Sequence, residues 1–372
     1  MTYSKFFYLI KPLCKKMPWL WEKSKKLLFF KNKFLIIRIG NIDIYVDDGP
    51  LRDHRGIGRV SRELLSQLKL KGLLVNNLKP EEINPGRIKV FFYTSIHYCP
   101  RNLPHPSVVI IHDVIPLLFP QYFSKMITYE WINRYKSISH QVSKVISISH
   151  SSARDIAKKL DLEETSIEVI YNGVSTFKDQ SSSKLKLPQN SFILFIGSLD
   201  DHKNLDVVLR ALTYSETRNI DLVVIGDDNG YINNAKALGI KDRVHFFGIL
   251  NDNDVAYIMK HALALVLPSL YEGFGLTPLE AAKFKVPSIC SKRPAMTEIL
   301  DKAAIFVEPH LPYNWALAIS KLEHNPDLRV EIGHKAFQIS QNYTWEKAAD
   351  KLIDCLTKVA MEYHVTSSST SH

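Results

Sequence analysis

Short apolar runs that alternate with helix-like segments constrain this 372-residue chain more than any other feature. Ile42–Val46 reads as a strand. It leads through the loop Asp47–Arg55 and the turn Gly56-Ile57-Gly58 into a helix from about Arg59 to Leu70. Lys89–Tyr93, Ser107–Ile111, Val145–Ile148 and Ile167–Ile170 repeat the strand signal, and Ser149-His150-Ser151-Ser152 supplies the residues that open a helix. The polar segment 175–187, with Ser181-Ser182-Ser183, reads as a linker. A second series follows, with strands at Phe192–Ile196, Asp221–Ile225, Val244–Phe247, Ala264–Leu267, Ser288–Cys290 and Ala304–Val307. Helices are expected between them, at about 204–213, 231–238 and 252–260, and after Gly275. Alternation of this kind predicts an α/β protein built on parallel sheets with helices on both faces. Two series predict two doubly wound, Rossmann-like domains facing each other across a cleft, with ligands at the carboxyl ends of the strands. The expected boundaries are 34–180 for the N-terminal domain and 188–342 for the C-terminal domain. A helix over 343–363 is expected to cross back to the N-terminal domain, and the Ser/Thr-rich tail 364–372 to be disordered.

Composition narrows the setting. At 45% hydrophobic and 23% charged residues, the chain reads as a soluble globular protein. No apolar run reaches the roughly 18–20 residues needed to cross a bilayer. Cys14, Cys99, Cys290 and Cys355 are scattered, with no C-x-x-C pair, so neither a zinc site nor a disulfide framework is suggested. A reducing cytoplasm is the expected location. Residues 1–33 carry nine lysines and one acid, Glu22, and so hold most of the chain's formal +10 charge. Lysines interleaved with aromatics such as Phe6, Phe7, Trp19 and Trp21 suit either a segment lying on an anionic membrane surface, on the inner face of the cytoplasmic membrane, or a solvated basic tail or helices docked on the body. Nucleic acid is not an expected partner, because no recognition motif accompanies the charge.

Four features fall at predicted strand ends. In Glu272-Gly273-Phe274-Gly275-Leu276-Thr277-Pro278-Leu279-Glu280, two carboxylates flank a glycine turn that opens a helix. Exposed backbone N–H groups at such a turn favour a phosphate, and carboxylates on either side suit sugar hydroxyls. The second feature is Gly197-Ser198-Leu199-Asp200-Asp201-His202-Lys203-Asn204, where Lys203 can hold a diphosphate as a point charge. The third is the Gly56-Ile57-Gly58 turn, and the fourth is His112-Asp113. Taken singly, each has a plain structural reading: a tight loop, a solvated lysine, a core histidine, a surface glutamate. Together, at the strand mouths of two matched domains, they point to one site.

On these residues the chain resembles the retaining glycosyltransferases of the GT-B fold, family 4 (glycosyl transferases group 1). The resemblance covers about 42–360. It is strongest in Phe195-Ile196-Gly197, His202-Lys203-Asn204-Leu205, Arg243-Val244-His245-Phe246-Phe247-Gly248 and Leu267-Pro268-Ser269-Leu270-Tyr271-Glu272-Gly273-Phe274-Gly275. The N-terminal pieces Arg55-Gly56-Ile57-Gly58-Arg59, His112-Asp113-Val114-Ile115-Pro116 and Tyr171-Asn172-Gly173-Val174 look like the mannosyltransferase-like branch that builds bacterial surface polysaccharides. The resemblance implies that Glu280 holds the ribose and Glu272 faces the donor sugar. The N–H groups of Gly273, Phe274, Gly275 and Leu276 would hold sugar and diphosphate, and Lys203 would neutralise the departing diphosphate. Gly56 and Gly58 would approach the phosphates, and His112 would line the cleft beside donor sugar and acceptor. One departure stands out: Ser198 occupies a position where the family often has Arg, so neutralisation falls to Lys203 with His202 or Arg59. The expected ligands are a nucleotide sugar, GDP-mannose first and a UDP-sugar second, and a lipid-linked or growing polysaccharide acceptor such as O-antigen or capsule. No divalent metal and no tightly bound cofactor are expected. Two other readings stay open: a nucleotide-sugar epimerase or hydrolase on the same scaffold, and a non-catalytic nucleotide-sugar-binding subunit.

Overall fold

The computed structural model describes residues 34–53, 56–75, 86–175, 185–228 and 230–369. The basic leader and the Ser181-Ser182-Ser183 run lie outside the described residues. The chain divides into two compact units, one holding the chain up to Gly173 together with Trp345 onward, the other Val174–Thr344.

The first unit contains a seven-stranded sheet in the order β3-β1-β2-β4-β5-β6-β7. Its strands are β1 (Phe34–Ile39), β2 (Ile42–Asp47), β3 (Leu74–Val75), β4 (Ile88–Tyr93), β5 (Ser107–Ile111), β6 (Lys144–Ser147) and β7 (Ile167–Val169). From β2 to β7 the neighbours run parallel, as expected. The edge differs: β1 pairs antiparallel with both β2 and β3, so the sheet is mixed. The run Phe34–Ile39 shows no apolar–polar alternation and abuts the lysine-rich leader, which hides it as a strand. The two-residue Gly40-Asn41 connection, with Ile39 opposite Ile42, makes it a hairpin.

Helices α1 (Gly56–Leu70), α2 (Lys125–Ser139) and α3 (His150–Leu160) cover the sheet. Tyr93, Val109, Ile111, Tyr135, Ile138, Ile156 and Leu160 form the core under α2 and α3. On the other face α1 buries Val60, Leu64 and Leu68. The C-terminal helix Trp345–Ser369 belongs to this unit. It buries Ala348, Ala349, Leu352 and Leu356, and Asp350 pairs with Lys71 at the end of α1 at 2.7 Å. That helix continues past Tyr363 to Ser369, which corrects the expectation of a disordered tail over 364–369. Once upstream turns are packed, each added residue gains one helical bond, so even Thr366 continues it, its hydroxyl donating to Glu362 O.

The second unit is a six-stranded, all-parallel sheet in the order β10-β9-β8-β11-β12-β13. Its strands are β8 (Phe192–Ile196), β9 (Asp221–Ile225), β10 (Val244–Phe246), β11 (Ala264–Leu267), β12 (Ser288–Ser291) and β13 (Ile305–Val307). The intervening helices are α4 (Leu205–Ala211), α5 (Tyr231–Ala237), α6 (Asp252–His261), α7 (Leu276–Lys283), α8 (Pro294–Leu300), α9 (Pro312–His324) and α10 (Pro326–Ser340). Side chains alternate between faces along a strand. Ile193, Phe195, Val224, Val266 and Ile289 enter one core with Trp315, while Phe192, Leu194, Val223 and Leu265 enter the other. Burial on both faces is why these strands read as unbroken apolar runs. Leu185 and Leu187, at the end of the expected linker, already pack on this unit. At its ends Val174 N donates to Tyr343 O at 3.1 Å.

Candidate functional site

In the second unit the strand order reverses between β8 and β11, the position where open parallel sheets bind ligands. The loops leaving these two strands are tied together. Leu270 N donates to His202 O at 2.8 Å, and Asn204 Nδ2 donates to Pro268 O at 3.0 Å and Pro309 O at 2.8 Å. Between them lies a charge pair, Lys203 Nζ to Glu272 Oε1 at 2.7 Å, with Ser269 Oγ donating to the same oxygen at 2.6 Å. The two charged side chains are 20% and 15% exposed, so the pair is largely shielded yet reachable. Burial would raise the Glu272 carboxyl, but Lys203, through charge and hydrogen bond, then Ser269 and the His202 charge, hold it below its ordinary value. Glu272 is therefore an anion at neutral pH. His202 and Ser198 are half-buried in the loop after β8.

The turn after Glu272 ends at Gly275, whose φ of 97° favours glycine. A Cβ there would also stand 2.5 Å from Met296 Cε of α8. Gly275 is the N-cap of α7 and offers no side-chain oxygen to the first-turn N–H groups. Pro278 has none to satisfy, which leaves those of Leu276 and Thr277 at the positive end of the helix dipole. Phe274, 2% exposed, anchors the turn edge-on against Tyr343, with ring centroids 5.5 Å apart. Glu280 lies on α7 one helical turn beyond Leu276 and is 4% exposed. The second unit thus gathers Glu272, Gly273, Phe274, Gly275, Leu276, Glu280, Lys203, His202 and Ser198 at a single sheet edge.

His112, Gly56 and Gly58 belong to the first unit, at the carboxyl end of its own sheet. His112 is 7% exposed, and its Nε2 lies 2.9 Å from Thr94 O, which can only accept. Burial lowers its pKa to about 4, against the raising effects of the Thr94 bond and the Asp53 charge, so the ring is neutral at pH 7. Thr94 Oγ1 meets Ser61 Oγ at 2.7 Å, and Ser61 in turn donates to Ile57 O in the first turn of α1. One buried polar chain therefore runs from the imidazole to the glycine turn. Gly58 has a tight structural role, since a Cβ there would fall 1.8 Å from Asp53 O. Gly56 has open space where a Cβ would be.

The sequence reading assigned no role to Ser269, Asn204 or Thr94. For Ser269 the signal was its spacing, three residues before Glu272. Asn204 adopts φ 55°, a conformation that Asn tolerates, whereas the Thr94–His112 contact spans 18 residues and has no local signal. The expectation of no divalent metal took the sequence to hold no acidic D-x-D triplet, and Asp252-Asn253-Asp254 is such a triplet. It fills the first turn of α6, where Asn251 Oδ1 accepts from the N–H groups of Asn253 and Asp254, as acids at a helix start do.

A parallel sheet with a shielded lysine–carboxylate pair and a glycine-capped helix start at its switch point defines a Rossmann-like α/β unit, here joined to a second one. The family described as Glycosyl transferases group 1 matches residues 177–339, and Glycosyltransferase Family 4 matches residues 43–177. The chain belongs to this glycosyltransferase family. Among its relatives, the O-antigen chain mannosyltransferase RfbU of Salmonella typhimurium is 28% identical over 226 residues, 59% of this chain and 62% of that protein. An uncharacterized glycosyltransferase of Methanocaldococcus jannaschii is 26% identical, covering 63% of each chain. The aligned stretch is therefore shorter than two thirds of these relatives. Sucrose-phosphate synthase from Thermosynechococcus elongatus superposes with a TM-score of 0.64 at 18% identity, covering 84% of this chain and 81% of that one. Anabaena HepE in complex with UDP-glucose gives 0.59 at 18% identity, covering 72% and 78%. These likenesses establish the GT-B fold. Among the described residues no helix is long and apolar enough to cross a membrane.

Proposed function

We propose that the chain is a retaining hexosyltransferase that takes a sugar from a nucleotide donor and adds it to a lipid-linked or growing polysaccharide, as O-antigen or capsule. The observation that carries this reading is the Lys203–Glu272–Ser269 cluster beside the uncapped start of α7. When a nucleoside diphosphate departs, negative charge grows on its β-phosphate and the sugar becomes oxocarbenium-like. A fixed cation and N–H dipoles aimed at that charge lower the barrier. Without donor, Lys203 rests on Glu272. With donor, Lys203 turns to the diphosphate, Glu272 accepts from sugar hydroxyls while Ser269 holds it in place, and Glu280 accepts from the ribose. The acceptor attacks from the face the diphosphate leaves, with the leaving phosphate taking the proton, so Glu272 is not a nucleophile. The neutral, fixed His112 is suited to hydrogen bonding rather than to acid catalysis at pH 7. The relation to an O-antigen mannosyltransferase supports mannose as the first sugar to try and GDP as the first nucleotide. A nucleotide-bound fold relative carries UDP-glucose, which makes UDP-sugars the second set.

A thermal-shift panel of GDP, UDP, ADP and their sugars tests the donor, because a ligand that binds only the folded state raises Tm. Product analysis with and without acceptor then separates transfer from epimerisation or hydrolysis. Free epimer or free sugar as the main product, or an inverted anomer in the glycoside, would refute the reading.

A further inference from the structure

Beyond the lysine pair, the carboxyl edge of the second unit holds another polar feature. Ser291 ends β12, and Arg293 follows two residues later in an extended conformation, with φ −127° and ψ 149°. Lys292 N still donates to Val307 O at 2.8 Å, so the chain continues along β13 and the strand alternation persists. Ser291 and Arg293 therefore face the same side. Ser291 is 1% exposed, and among the described residues its Oγ has no hydrogen-bond partner. Arg293 is half-buried, its Nε is fully buried and equally unpartnered, and no described residue forms an ion pair with its guanidinium. Two adjacent unsatisfied donors are expensive, and buried polar groups in folded proteins are nearly always bonded to protein, water or ligand.

Their position suggests what they bind. Cys290 pairs with Leu267, the last residue of β11, so Ser291–Arg293 leaves the sheet at the same edge as the loop that leads from β11 to Glu272. Met296, three residues beyond Arg293, packs on Gly275 of the anion-binding turn. A guanidinium fork is built for two phosphate oxygens, which a lysine can meet only as a point charge.

We propose that Arg293, with Ser291, forms a phosphate-binding subsite at the end of β12 and supplies the second cation for the donor diphosphate, which Ser198 does not. The inference rests on the reading of this unit as the donor site. Calorimetric titration of wild type, Arg293→Ala, Arg293→Lys and Ser291→Ala with UDP, GDP, UMP and GMP tests it, with Tm measured for each protein. Arg293→Ala is expected to weaken the preferred nucleoside diphosphate by about 10- to 100-fold and its monophosphate by less than about threefold, with an unchanged Tm. Arg293→Lys recovers part of the loss and Ser291→Ala shows a smaller one. Diphosphate affinity equal to wild type in Arg293→Ala overturns the subsite, as does an equal loss for mono- and diphosphate. A wild type that binds neither UDP nor GDP overturns the donor reading itself, and the subsite with it.

Discussion

Replacing Lys203 by alanine separates two contributions that one side chain makes. In the free protein its ammonium meets Glu272 Oε1 at 2.7 Å, and among the described residues Ser269 is the carboxylate's one remaining side-chain donor once the lysine is gone. Exposed pairs contribute about 0–1 kcal/mol, and stranding the partner of a fully buried pair costs about 3–5 kcal/mol. With side chains 20% and 15% exposed, this pair lies between, and solvent screening places the loss near 2 kcal/mol. For a domain of this size that lowers Tm by about 4–8 °C. The loss depends on pH. Because the Glu272 carboxyl is held below its ordinary value, the pair's contribution is fully present above the unfolded carboxylate pKa and fades as pH falls through the lowered folded value. Wild type and variant should therefore converge in stability under acid. Lys203→Ala combined with Glu272→Gln should regain part of the loss at pH 7, since no unpaired carboxylate remains. Turnover behaves differently: removing a charge-stabilising group should lower it by on the order of 100-fold or more, with no recovery in the double variant. Urea unfolding from pH 4 to 8, a double-mutant cycle and steady-state transfer assays measure these effects. A Tm within 1 °C of wild type would refute the structural argument, and turnover within about threefold would refute the catalytic one.

Glu280→Ala should weaken nucleotide binding by about tenfold and leave the affinity for inorganic pyrophosphate unchanged; calorimetry showing equal nucleotide affinity would contradict a ribose contact. His112 resists protonation in the folded state, with a pKa near 4 against an ordinary 6.5. Stability should therefore fall as pH drops below 6.5, by about 2–3 kcal/mol at pH 4.5. His112→Gln should lose less over the same interval in urea unfolding, and identical pH profiles would remove this reasoning. Gly58→Ala would ordinarily strengthen a helix by about 1 kcal/mol. Here the new Cβ meets the Asp53 carbonyl, so a loss of about 2 kcal/mol or more is expected, and a raised Tm would show that the loop yields freely.

Element types were legible because burial on both faces turns parallel strands into unbroken apolar runs such as Phe192–Ile196 and Asp221–Ile225. Phe34–Ile39 carries the same kind of run, but nothing local shows that its partner would be the following strand in antiparallel register. The glycine turn and the acids around it were legible because their chemistry is local, lying within nine consecutive residues. The pairing of Lys203 with Glu272 spans 69 positions, and no spacing rule joins them.

The sequence by itself determined the two α/β series, the glycine turn before α7 and the residue types able to hold a nucleotide sugar, since each is a pattern of near neighbours. Tertiary structure alone decided that Lys203 and Ser269 converge on Glu272, that His112 is neutral and tied to the α1 turn, and that Ser291 Oγ and Arg293 Nε are buried and unmatched at the end of β12. Those facts depend on which strand ends the sheet order brings side by side and on how much water reaches each charge. Both are properties of packing rather than of adjacency along the chain.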